Sequence, residues 1–174
     1  MPILVSRMIN RIPNLRPRSR WFGVAQAIVI LVFACAGVAS ADVWDEFETR
    51  CLAMMEDVTP TDLSGLSHLE SQDGFEVWMG KEGWKLRLLL SNEDGNVCII
   101  EGFDWSEAVS QAASNWASRA LASGKYESLP EENSQCVSVF RSTNWREPRI
   151  EVRVQASDGE LAPQLIVQET DLES

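Results

Sequence analysis

The sequence predicts an α+β fold built from two similar units, each a helix followed by a three-stranded antiparallel meander (αβββ-αβββ). Two segments carry apolar residues at helical spacing, and six segments have the alternating or apolar composition of strands. Short glycine-bearing connections between the strands indicate hairpins. A meander cannot bury its apolar face alone, so we expect the two helices to pack on one face of a shared sheet.

The first 41 residues have the three parts of a secretory signal peptide. Residues 1–20 contain five arginines and no acid, residues 22–38 form an uncharged apolar stretch, and residues 39–41 read A-S-A, which fits the A-x-A cleavage rule. Cleavage there would make Asp42 the first residue of the exported chain.

Two other interpretations of this segment stay open. The residues ending at Cys35 loosely resemble a lipobox, whose cysteine is acylated, although Phe33 is bulkier than the usual residue. The uncharged stretch from Phe22 to Ala41 has 20 residues, about what a bilayer core of ~30 Å requires, so it could be an uncleaved anchor. All three interpretations deliver the chain from Asp42 onward across the membrane, to the periplasm or beyond.

The exported part is one strongly acidic domain. It contains all 26 Asp and Glu residues but only 10 Lys and Arg residues, so its formal charge is 10 − 26 = −16. That charge would repel a phosphate backbone, which excludes nucleic acid as an expected partner. The 133 residues from 42 to 174 suffice for a single core. We expect its two halves at about 42–102 and 103–170.

The first half begins with a helix whose apolar stripe contains Trp44, Phe47, Cys51 and Met54 or Met55. A polar loop leads to three predicted strands, "FEVWM", "WKLRLLL" and "VCIIE", separated by "GKEG" and "SNEDGN". In the second strand, Lys85 and Arg87 lie on a face expected to be exposed to solvent. The opposite face is a row of apolar residues: Trp84, Leu86, Leu88 and Leu90.

The second half begins with a helix that Asp104 would cap, with Glu107 three residues on and Gly124 at its end. One face of this helix is apolar and contains Trp105, Val109, Ala112, Trp116 and Ala120. Three predicted strands follow, "QCVSVF", "RIEVRVQAS" and "QLIVQE", with "SDGE" as the last turn.

The two halves also align by eye. "WKLRLLLSNEDGNVCIIEG" lies over "PRIEVRVQASDGELAPQLIVQET", and "VWDEFETRC" lies over "DWSEAVSQA". The order of elements and this alignment favour an internal duplication. Because the identity is low, convergence of two similar motifs by chance stays open.

Three cysteines follow the predicted signal peptide, which predicts one disulfide and one free thiol outside the cytoplasm. Cys51 lies on the stripe of the first helix, and Cys98 shares a strand face with Ile100. We therefore predict the pair Cys51–Cys98, with Cys51–Cys136 as the alternative. The wide spacings and the single histidine argue against a zinc site.

No residue stands out as catalytic. His68 lies near Ser64, Ser67 and Glu70, but a serine-rich loop brings such residues together by chance, and we expect an exposed loop histidine. The chain has no G-x-S-x-G, H-E-x-x-H or Walker sequence. The "NEDGN" segment at 92–96 lacks the spaced ligands of a calcium loop. We predict no metal and no cofactor.

Four residues are candidates for binding: Trp145 in a turn, Arg141 and Arg146 beside it, and Trp78, which shares its strand face with Glu76. We expect a small exported, non-catalytic binding domain, whose partner is a protein or an envelope component. Contact with a membrane would occur only through an uncleaved or lipidated N-terminus. A carboxylate-dependent hydrolase is one alternative, and a lipid-anchored structural protein, if Cys35 is acylated, is another.

Overall fold

An eight-stranded antiparallel sheet and two helical segments make up the described part of the chain, so the fold is α+β as predicted. The computed structural model describes residues 41–91, 95–157 and 159–170, with side chains from Val43 onward. The predicted signal peptide with its cleavage site, Cys35 and most of the "NEDGN" segment lie outside the described residues.

The first helix, α1, comprises an α-helical segment Ala41–Phe47, a π-helical segment Glu48–Leu52 and a second α-helical segment Ala53–Asp57. Its predicted apolar stripe is buried throughout. Arg50 is also buried, where its guanidinium contacts the Glu46 carboxylate and bonds the carbonyl oxygens of Asp62 and Ser64. Arg50 thereby fastens the loop after α1 to the helix.

The second helix, α2, spans Glu107–Ala122. Its N-cap is Ser106, whose Oγ accepts a hydrogen bond from the Val109 amide at 3.2 Å. The prediction of Asp104 as the cap was wrong, because only an extended residue immediately before the first turn can reach those amides. The chain leaves the helix through Gly124, at a φ of +71° that favours glycine.

The strands follow the order β1-β2-β3-β4-β8-β7-β6-β5 across the sheet, so β4 and β8 meet at its centre. Their bounds are β1 Ser67–Gln72, β2 Phe75–Met79, β3 Lys85–Leu89, β4 Val97–Glu101, β5 Tyr126–Ser128, β6 Val137–Ser142, β7 Arg149–Gln155 and β8 Gln164–Thr170.

The structure contains eight strands where the sequence predicts six. The six predicted strands are present, and the structure adds β1 and β5 at the two edges of the sheet. Every residue of β1 is exposed, and β5 has only three residues. An exposed edge strand needs no apolar alternation, so its sequence reads as a polar loop.

One face of the sheet, here called the inner face, contributes the buried side chains of Leu86, Cys98, Ile100, Val152 and Leu165 to a single core cluster. Residues from α1 and α2 belong to the same cluster. The disulfide Cys51–Cys98 joins α1 to β4, which confirms the predicted pairing. Leu90, predicted in the apolar row of β3, is 65% exposed because the strand ends at Leu89.

The β2–β3 hairpin closes through Gly80. Its amide donates to the Trp84 carbonyl oxygen at 2.9 Å, and the Trp84 ring lies where a Cβ of residue 80 would be, 2.2 Å from its nearest atom. Only glycine allows this close approach. The bare backbone therefore lets Trp84 turn into the core.

Tyr126, the one tyrosine of the sequence, is buried in β5 and donates a hydrogen bond to Glu56 Oε1 at 2.7 Å. Burial in the core, and then the Glu56 carboxylate, raise the pKa of Tyr126 far above its ordinary value of 10.0. In the unfolded chain the phenol ionises near pH 10. The raised pKa therefore contributes stability that is complete below about pH 10 and is lost as the pH rises.

We expect the free energy of unfolding to fall by about 1.4 kcal/mol for each pH unit above ~10 through this group alone. Near-ultraviolet phenolate absorbance can report on Tyr126 directly, because no other tyrosine contributes. The absorbance should appear together with loss of circular dichroism, and Tyr126→Phe should lack both the absorbance and this part of the slope. A phenolate that forms near pH 10 in the folded protein would contradict the prediction.

Candidate interaction surface

The other face of the sheet, here called the outer face, is the side away from Cys98 and the helices. Cross-strand register aligns six of its side chains in a row across six neighbouring strands: Val77, Arg87, Ile99, Ile166, Arg153 and Val139. This central row therefore reads Val-Arg-Ile-Ile-Arg-Val, the same from either end. Val77 and Val139, at its ends, are buried, whereas Ile99 and Ile166, at its middle, are half-buried.

Ion pairs within the chain flank these isoleucines. Arg87 lies 3.8 Å from the Glu101 carboxylate, and its guanidinium stacks 4.6 Å from the Phe75 ring centroid. Arg153 lies 3.5 Å from both Glu132 and Glu151. Each arginine of the central row therefore has a carboxylate of its own chain beside it.

Glu151 is only 4% exposed, although its side chain lies on the outer face of β7. Arg141 donates to it at 3.2 Å, Arg153 at 3.5 Å and Gln168 at 3.4 Å. A buried carboxylate is tolerated when it is paired and hydrogen-bonded in this way. Arg141 also lies 3.5 Å from Glu132, which reaches the outer face from the loop before β6.

The outer face is electrically balanced, whereas the rest of the domain is acidic. It carries five cations (Lys85, Arg87, Arg141, Arg149 and Arg153) and five carboxylates (Glu70, Glu101, Glu127, Glu132 and Glu151). The other described side chains include five cations and fifteen carboxylates. Among the described side chains, a partner that contacts the outer face therefore meets no excess of negative charge.

Of the four predicted binding residues, Arg141 lies on the outer face and the other three do not. The largely buried Arg146 side chain bonds Glu169 at 2.6 Å. Trp145 is 37% exposed, and its indole N–H donates to the Lys125 carbonyl oxygen at 2.7 Å. Trp78 is half-buried against the core, and its ring centroid lies 4.7 Å from that of His68.

These four residues do not form one patch. Trp78 is on β2 and Arg141 on β6, and five strand spacings of ~4.8 Å place those strands about 24 Å apart. No single stretch of the sequence marks the outer face, because its residues come from different strands that only the strand register brings together. The available signal in the sequence was that Arg87 and Ile99 alternate with residues predicted to be buried in the same strands, which places both on the opposite face of the sheet.

His68 lies on β1, where its Nε2 is 2.6 Å from Glu76 Oε2. Ser71 Oγ donates to the other oxygen of that carboxylate at 2.7 Å, so the hydroxyl does not pair with the imidazole. The Ser71 hydrogen bond, and then the one from His68, hold the pKa of Glu76 below its ordinary value. A general acid needs a shift in the opposite direction.

A cavity of about 180 Å³ lies between α2 and strands β6 and β7, lined in part by Trp105, Phe140 and Val154. Cys136, a free and half-buried thiol, also lines it. Within the described ranges no group of three or more His, Cys, Asp or Glu residues is placed to hold a metal ion. Neither helix of that part of the chain has the length and apolar character needed to span a bilayer.

The chain matches no protein-family model, no curated protein and no solved structure.

Proposed function

We propose that the protein is a small exported, non-catalytic interaction domain that binds a protein partner through its outer face. The supporting observation is the balanced charge of that face around Ile99 and Ile166, on a domain that is acidic elsewhere. Protein interfaces combine an apolar centre that excludes water with a polar rim that fixes orientation. The isoleucine pair supplies such a centre, and the surrounding ion pairs supply the rim.

Export to the periplasm or the medium is part of this proposal. The Cys51–Cys98 disulfide supports it, because disulfides form and persist in oxidising compartments. The basic, apolar and A-x-A segments of residues 1–41 support it independently.

We also propose that the two halves are diverged copies of one unit, a helix followed by four strands, with both helices on the inner face. A twofold axis between β4 and β8 would exchange Ile99 with Ile166 and Arg87 with Arg153. It would also exchange Val77 with Val139. The central row supports this proposal, because each of its residues would be exchanged with one of the same type.

Site-specific cross-linking tests the interaction role. A photoreactive phenylalanine analogue at position 99 or 166, in the full chain in its native host, should yield a discrete cross-linked product. The matched control is position 121 on α2, where the native leucine is also apolar and is 43% exposed. Equal yields at positions 99, 166 and 121, or no product at 99 and 166, would argue against an interface on the outer face.

A further inference from the structure

We propose that the occupant of the outer face is a second copy of this chain, so that the protein is a twofold-symmetric dimer. This inference rests on the interaction role proposed above and names the partner at that same surface. Its supports are the charge balance of the face, its symmetry and its area.

Charge restricts how two copies can meet. Each exported chain carries a formal charge of −16, so contact through most surfaces sets like charges against each other. The outer face avoids this, because its five cations and five carboxylates balance and the arginines are already paired within the chain. Two such faces would meet as neutral ion pairs, which do not repel.

The symmetry of the central row also suits a second copy. A twofold dimer uses the same patch on both subunits, so the patch must complement itself. Ile99 and Ile166 lie side by side at the centre of the sheet, on β4 and β8. If two outer faces pack with their centres superimposed, the isoleucines of one copy cover those of the other at any crossing angle between the two sheets. An apolar centre that excludes water therefore forms without one required crossing angle.

The area is sufficient for a stable dimer. The fully buried Val139 on β6 adds no free area, so the open part of the face is taken as the six strands β1 to β4, β8 and β7. At ~4.8 Å spacing, and about six residues long at ~3.3 Å per residue, these strands give roughly 500–550 Å² per copy. Two copies together would bury about 1,000–1,100 Å², which reaches the ~1,000 Å² expected of a specific interface.

The oligomeric state tests this inference. The protein, expressed with its own N-terminal segment and purified after export, should have twice the mass of the processed chain by light scattering and sedimentation equilibrium. Ile99→Lys and Ile166→Lys should each raise the dimer dissociation constant about 100-fold or more, since each places lone charges at the apolar centre. Leu121→Lys on α2 should leave the dimer intact.

Mixing Ile99→Lys with Ile99→Glu should restore the dimer, which shows that the single variants fold and fail only in association. A wild-type protein that stays monomeric at every concentration would overturn the inference, as would a dimer that tolerates both lysines. If that monomer still cross-links from position 99 to a different protein, the interaction role survives and only the second copy is refuted. Absence of both dimer and cross-link would refute the two proposals together.

Discussion

Replacing both Cys51 and Cys98 by alanine is expected to lower the free energy of unfolding by about 4 kcal/mol. The two cysteines are fully buried and 47 residues apart, so their bond closes a long loop and restricts the unfolded chain. The bond also fixes α1 to β4, a central strand of the sheet. The melting temperature should fall by roughly 10–15 °C for a domain of this size.

Urea unfolding of the purified protein measures this loss, and reduction of the wild type should reproduce it. Cys136→Ser is the matched control, because that thiol is free and half-buried. It should change the free energy of unfolding by no more than about 1 kcal/mol. A double alanine variant as stable as the control would show that the disulfide adds little to the packing around it.

Trp116→Ala is expected to cost about 3–5 kcal/mol of stability. The Trp116 ring lies 5.3 Å from Tyr126, 5.4 Å from Phe140 and 6.0 Å from Trp44, centroid to centroid. It therefore links α2 to α1 and to strands β5 and β6. Truncation leaves a large cavity and removes aromatic contacts worth about 0.5–1.5 kcal/mol each.

Trp145→Ala is the control for this substitution, because it removes the same side chain from a partly exposed position. Its loss of the Lys125 hydrogen bond and of contact with Tyr126 should cost only about 1–2 kcal/mol. Chemical unfolding followed by circular dichroism compares the two variants. Equal losses would mean that Trp116 is not at the centre of the core.

The inner face could be predicted from the sequence because burial leaves a pattern along each strand. Leu86 and Leu88 alternate with Lys85 and Arg87. Cys98 lies on the same strand face as Ile100, and this placement predicts its disulfide with Cys51. Strands without that constraint were missed. The residues of β1 are all exposed, so no apolar period marks the strand.

The outer face could not be predicted, because it depends on which strands are neighbours. Ile99 and Ile166 are 67 positions apart in sequence and become adjacent only when β4 pairs with β8. Tryptophan and arginine content pointed instead to Trp145 and Arg146. Arg146 instead forms an ion pair with Glu169 of the same chain. An arginine in a turn can bind a carboxylate within the fold as well as one on a partner.

The central position of β8 has a consequence for biogenesis. In the export that we propose, the chain would cross the membrane from its N-terminus and present β1 to β4 first, and the edge of β4 would stay unpaired until the last segment emerges. Unpaired strand edges are templates for aggregation. Completion of the sheet therefore depends on residues 164–170, and a chain truncated before them would leave its middle open to chaperones and proteases.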